Sequence, residues 1–177
     1  MDWSEKPLIS RITPRIYIGN AVAAKDPDIL QREEIKNVIS VMTWLWGPLK
    51  LYGELGIGWK KFPIADHKNF EDKEKRLINE IFPWMKEGEL VYEEKFLIHC
   101  HKGISRSSAF TITYLTWSGI PFERAFELVA EKHPMACPSG SVLESFLGCI
   151  SISPPNLPQL LVQRYEEAAA VIKKLGP

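Results

Sequence analysis

Short apolar runs alternate along this chain with segments in which apolar residues recur every three or four positions, a pattern of strands interleaved with helices. Residues 8–13 and 15–18 read as two strands separated by Pro14 and closed by Gly19-Asn20. Asp26-Pro27-Asp28 supplies an N-cap and a first-turn proline for a short helix reaching Glu34. The β-rich run 37–42, set between a helix and a loop, fits a buried parallel strand. Residues 43–58 mix Trp44, Trp46 and Tyr52 with Gly47, Pro48, Gly53, Gly56 and Gly58, which predicts a loop holding a short helix near 48–55. Its aromatics read as packing beneath that loop, with a rim on a substrate mouth as the alternative. A further strand spans 59–64. Leu77, Ile78, Ile81, Phe82, Trp84 and Met85 then give helical spacing across 72–87, with Pro83 as a kink and Gly88 as the stop.

The second half is helical after one more strand. Phe96-Leu97-Ile98 runs into His99-Cys100, and helices are expected over 106–118, 122–132 and 142–150, separated by Gly119-Ile120-Pro121 and by the loop 133–140. Residues 151–157 form a rigid linker. Leu157, Leu161, Tyr165, Ala168 and Ile172 line one face of a terminal helix over 158–175. That face is expected to pack back on the domain, with a partner-binding helix as the alternative. The alternation predicts an α/β fold: a central mixed, mostly parallel sheet of about five strands with helices on both faces. It is read as a single domain, 1–150, followed by the linker and helix of 151–177. Ligands of such sheets bind beyond the C-terminal ends of the strands, where Cys100 falls.

Residues 96–108 concentrate the chemistry. A strand, a tight loop and a helix follow one another, and the helix start presents unpaired N–H groups and partial positive charge, a ready cradle for an anion. Cys100 stands at its mouth, where positive potential favours the thiolate, the nucleophilic form. Arg106 opens the helix with a planar fork matched to two phosphate oxygens. Gly103 lets the backbone turn without crowding the anion. Ser107 offers a hydroxyl that could donate to the sulfur and ease its later departure. The parts describe a thiolate attacking phosphorus while His101, Lys102, Gly103, Ile104, Ser105 and Arg106 hold the phosphoryl oxygens.

The sequence His99-Cys100-x5-Arg106-Ser107 resembles the Cys-x5-Arg signature of the protein-tyrosine-phosphatase superfamily, and its fuller His-Cys-x-x-Gly-x-Ser-Arg-Ser form is similar to the dual-specificity phosphatase branch. Ile16-Tyr17-Ile18-Gly19 also resembles the leucine-tyrosine-leucine-glycine opening common in that branch. The resemblance covers roughly 8–148 and implies a protein-tyrosine-phosphatase-like fold and a phosphocysteine intermediate. It implies no cofactor and no metal. In such families an aspartate on a loop some thirty residues before the cysteine protonates the leaving group. Asp66 stands 34 residues before Cys100, after a strand and at the start of a polar loop. Glu71 and Asp72 compete for the role but sit beside Lys73, Glu74 and Lys75, a run better read as an exposed helix turn. The segment from His133 to Ser139 is similar to the family's Arg-Pro-x-x-x-Pro-Asn, with histidine for the arginine and serine for the asparagine. In that family the asparagine usually supports the phosphate loop, so the departures bear on the network around the loop more than on its chemistry.

His99 reads as a buried histidine at the strand end, bonded to backbone and tuning the thiolate indirectly, with a catalytic base as the alternative. Asp66, His67, His99 and His101 lack metal-ligand spacing. The expected substrate is a phosphorylated protein, phosphotyrosine with phosphoserine and phosphothreonine tolerated. Phosphoinositide, phosphatidylglycerophosphate or RNA 5′-triphosphate is the alternative, mildly favoured by Lys102. A non-catalytic phosphate-binding module or a rhodanese-type enzyme is the weaker reading.

Composition narrows this further. The 22 basic and 22 acidic residues cancel, so no basic footprint argues for nucleic-acid binding. No apolar run approaches the ~20 residues of a membrane span, and the charged start shows no signal-peptide core. Three cysteines without framework spacing suggest a reducing compartment, hence the cytoplasm. Cys137 and Cys149 read as inert thiols, with a Cys100–Cys137 disulfide as the redox alternative.

Overall fold

Apolar runs uninterrupted by polar residues are what a strand buried on both faces requires, and the computed structural model places them at the centre of a five-stranded sheet. It describes residues 6–43, 48–64 and 76–175. The strands are β1 (Ile9–Arg11), β2 (Ile16–Gly19), β3 (Ile35–Ser40), β4 (Gly58–Lys61) and β5 (Lys95–His99), in the order β1-β2-β5-β3-β4. β1 is antiparallel to β2, and the other pairings are parallel. The mixed, mostly parallel sheet expected from the alternation is therefore present, with β5 at its centre.

Period-two alternation decides which side each residue serves. On β2 and β5, Ile16, Ile18, Phe96 and Ile98 enter the larger core, while Tyr17 and Leu97 enter the smaller one on the opposite face. β3 departs from strict alternation. Its pairing with β5 slips by one residue between Ile35 and Asn37, so Ile35 and Val38 share the smaller core although three positions apart.

The smaller core is covered by α1 (Pro27–Arg32) and α2 (Leu49–Leu55). Asp26 caps α1 by accepting from the N–H groups of Asp28 and Ile29 at 3.0 and 3.1 Å. Tyr52 of α2 is buried and donates to the Ala24 carbonyl at 2.7 Å, so this aromatic serves packing. Trp44 and Trp46 lie outside the described residues.

The larger core is built by α3 (Phe82–Leu90), α4 (Arg106–Trp117), α5 (Phe122–Lys132) and α6 (Gly140–Cys149). α4 is buried from Ser107 through Leu115, and its Thr111, Thr113 and Thr116 hydroxyls donate back to the carbonyls four residues earlier. Phe62, Phe82, Phe110 and Phe146 meet in edge-on and tilted contacts 5.4–6.2 Å apart. The terminal helix α7 (Leu157–Leu175) buries Leu157 and Ala168, and Leu160 and Leu161 pack on the same core, whereas Tyr165, expected on the packed face, is exposed.

The expected helix 72–87 needs correction from residue 76 onward, residues 72–75 lying outside the described residues. Residues 77–81 form a widened π turn, in which the Phe82 N–H reaches the Leu77 carbonyl five residues back. Pro83 has no N–H to continue the ordinary ladder, and the wide turn absorbs it at the start of α3. Gly88 does not stop this helix, which continues to Leu90. A Cβ there would lie 2.5 Å from the Phe96 ring, so this glycine serves the close approach of α3 to β5.

Candidate active site

β5 ends at His99, Cys100 follows, and after five intervening residues the chain enters α4 at Arg106. Ser105 takes the N-cap position, yet its hydroxyl makes no cap bond and instead accepts from the Ser139 N–H at 3.1 Å. The Ser105 side chain therefore does not occupy the first-turn N–H groups of α4.

The carbonyls of the intervening loop are held by groups outside it. His101 O accepts from the Ala21 N–H at 3.1 Å, Gly103 O from His133 Nε2 at 2.7 Å, and Ile104 O from the Cys137 N–H at 3.0 Å. Every peptide bond among the described residues is trans. In a trans peptide the N–H that follows a carbonyl points the opposite way. The N–H groups of Lys102, Ile104 and Ser105 are thus turned inward, around the end of β5. Gly103 has φ +76°, and a Cβ there would meet Gly19 O at 2.8 Å, so conformation and space both demand glycine. Gly19 and Asn20 in turn are braced by the buried Asn20 side chain, whose Oδ1 accepts from the Leu8 and Ala23 N–H groups.

Cys100 is buried, and its Sγ lies 3.3 Å from Ser107 Oγ on the first turn of α4. Arg106, half-buried beside them, places Nη1 3.5 Å from the Ile64 carbonyl, at the end of the chain leaving β4. Asp66 lies outside the described residues, as do His67, Glu71 and Asp72. His101 and Lys102 extend exposed from the loop.

Two buried histidines flank the loop. The Cys100 carbonyl can only accept and lies 3.4 Å from His99 Nδ1, which assigns the ring proton to Nδ1. Nε2 is then left to accept from the Ser40 hydroxyl at 2.7 Å, and Ser40 Oγ itself accepts from Trp59 Nε1–H at 2.8 Å. Burial pushes the pKa of His99 down to about 4, so the ring stays neutral and is poorly suited to act as a base near neutral pH. His133 bridges Gly103 O and Ser10 Oγ, the latter at 2.8 Å from Nδ1. Burial, with the Arg164 charge adding to it, lowers the pKa of His133 as well.

Sequence reasoning noted His133 only as a departure from a family pattern and passed over Ser40, Trp59, Asn20 and Arg164. Their signal in the sequence is weak: each is a polar residue in or beside an apolar segment, and its partner is set by packing.

The chain is similar to proteins described as dual specificity phosphatases. Residues 16–147 match the family described as dual specificity phosphatase, catalytic domain. Dual specificity protein phosphatase 15 of Mus musculus is 28% identical over 134 residues, 74% of this chain and 53% of that protein. Dual specificity phosphatase 28 of Mus musculus is 29% identical over 136 residues, 75% of this chain and 78% of that protein. The crystal structure of human DUSP28 superposes with a TM-score of 0.68 at 24% identity, covering 81% of this chain and 93% of the other, a likeness of fold. The chain thus spans about half the length of the first of these relatives. With strands β2 to β5, its cysteine loop and most of its length inside the matched region, the chain belongs to the dual specificity phosphatase family.

Proposed function

We propose that this protein is a cysteine-dependent phosphatase that hydrolyses phosphotyrosine, and also phosphoserine and phosphothreonine, in phosphorylated proteins of the cytoplasm. The observation that carries the reading is the placement of Cys100 Sγ 3.3 Å from Ser107 Oγ, at the floor of a loop whose carbonyls are tied outward. The Cys100 thiolate attacks phosphorus, the P–O ester bond breaks, and a phosphocysteine forms. Asp66 gives its proton to the departing oxygen. Water then attacks phosphorus, Asp66 takes a proton from it, and the S–P bond breaks with the Ser107 hydroxyl donating to the leaving sulfur. The Arg106 fork and the inward N–H groups hold the three non-bridging oxygens throughout. His99 acts through the backbone of Cys100 and stays neutral. Nothing in this sequence of steps calls on a metal or cofactor.

The test is turnover of para-nitrophenyl phosphate and of phosphotyrosine and phosphothreonine peptides, with phosphoinositides and triphosphorylated RNA alongside and the Cys100→Ser protein as blank. Hydrolysis of the peptides that vanishes in the variant, with phosphate binding retained, is the expected result. Turnover that survives the substitution removes the nucleophile assignment, and turnover of the lipid or RNA alone moves the substrate class.

A further inference from the structure

Arg164 lies midway along α7, well beyond the catalytic loop in sequence, and only 6% of it is exposed. Burying a guanidinium is costly unless its donors are well placed. Here Nε donates to the Ala136 carbonyl at 2.8 Å, Nη2 donates to the Pro134 carbonyl, and Nη1 pairs with Glu167 at 2.8 Å. Two prongs of one rigid fork thus grip two carbonyls of a single loop, a geometry an ammonium cannot reproduce. The residues on either side of those carbonyls hold the phosphate loop: His133 takes Gly103 O, the Cys137 N–H takes Ile104 O, and the Ser139 N–H takes Ser105 Oγ. One turn before Arg164, Leu161 packs beside Gly140, where α6 begins.

We propose that Arg164 is a positioning residue for the phosphate loop. By clamping the 133–139 segment, α7 keeps the Gly103 and Ile104 carbonyls turned outward and the N–H groups of Ile104 and Ser105 turned toward the phosphoryl oxygens. The terminal helix is then part of the catalytic apparatus although none of its residues reaches the sulfur. This inference rests on the phosphatase reading above. An Arg164 that merely fastened α7 would, when replaced, lower the melting temperature and leave oxyanion affinity and kcat per folded molecule untouched.

The experiment compares wild type, Arg164→Lys, Arg164→Ala and, as a control on the same helix, Tyr165→Ala, whose ring is exposed. Calorimetric titration with inorganic vanadate is run beside para-nitrophenyl phosphate kinetics, both well below the melting temperature of each protein. Partners that orient the ligands of a metal site are typically worth about 10–100-fold in affinity or activity, and an effect of that size is expected here. Arg164→Ala should weaken vanadate binding and lower kcat within that range, millimolar guanidinium chloride should restore part of both, and Tyr165→Ala should match wild type. Arg164→Lys, which keeps the charge and stem but loses the fork, should fall between them, and it decides the matter if the alanine variant does not fold. Vanadate affinity and kcat equal to wild type in Arg164→Lys overturn the proposal. A wild type that binds vanadate without turning over the aryl phosphate defeats the phosphatase reading instead, and the titration still reads the coupling to Arg164.

Discussion

At the scale of single residues, two side chains divide the proposed reaction between them. Ser107 Oγ, 3.3 Å from Cys100 Sγ, is placed to donate to sulfur as it leaves phosphorus, a need that arises only in the second step. Ser107→Ala should therefore form phosphocysteine at near wild-type rate and break it down slowly. Rapid mixing with para-nitrophenyl phosphate should show a burst of nitrophenol followed by a turnover lowered about 10–100-fold, the loss typical of a group that supports a reacting atom. A linear time course would place the serine elsewhere in the scheme. In the proposed scheme Asp66 gives its proton in the first step and takes one back in the second, and kcat/KM reads the first step alone. Asp66→Asn should lower kcat/KM for poor leaving groups such as alkyl phosphates by about 10²–10⁴, the usual contribution of a positioned acid, and spare that of activated aryl esters. An equal loss across leaving groups would assign the proton to another residue.

At the scale of elements, the close approach of α3 to β5 sets the position of the strand that delivers Cys100. Gly88 makes that approach possible, since a Cβ would stand 2.5 Å from Cζ and 2.9 Å from Cε2 of Phe96. The Phe96 ring has little freedom to yield, being fully buried and edge-on to Trp84 at 5.2 Å. Gly88→Ala should gain helix propensity of about 1 kcal/mol and lose about 1–3 kcal/mol to overpacking. The net result expected from chemical denaturation is destabilisation. A more stable variant would mean that α3 moves off the strand without cost. Tyr114 of α4 donates to Glu89 near the end of α3, a second tie between elements that flank the catalytic strand.

At the scale of the whole molecule, two buried neutral histidines stitch the catalytic loop to the sheet, His99 to β3 through Ser40 and His133 to β1 through Ser10. Both have pKa values below that of a free imidazole, His99 near 4, because burial disfavours the charged ring. The unfolded chain binds these protons at its ordinary value of about 6.5 while the folded chain does not. Stability is therefore complete above that pH and is lost as pH falls below it, down to about 4 for His99. Each histidine contributes a slope of up to about 1.4 kcal/mol per pH unit. Glu89 opposes them near its own titration, because burial raises its pKa and its ionised form is the disfavoured one in the fold. His133→Gln keeps an N–H for Gly103 O and cannot titrate. Urea unfolding between pH 7 and 5 should show a shallower slope in this variant by up to that amount, and parallel curves would remove His133 as a contributor.

What the sequence determined by itself was whatever is encoded within a few neighbouring residues. The order strand, cysteine, glycine-bearing loop, arginine, helix is legible because all its parts lie in one stretch of chain. The uninterrupted apolar runs Ile16-Tyr17-Ile18 and Phe96-Leu97-Ile98 mark strands before any partner is known. Tertiary structure alone decided which groups turn the loop carbonyls outward, since Ala21, His133 and Cys137 reach them from distant parts of the chain. It also decided that Gly88 is a packing glycine and not a helix stop, and that Arg164 grips the loop that grips the active site. The physical reason is the same in each case. Backbone propensity and hydrophobic periodicity are local quantities, whereas a hydrogen bond or a close contact between distant residues exists only once packing has brought them together.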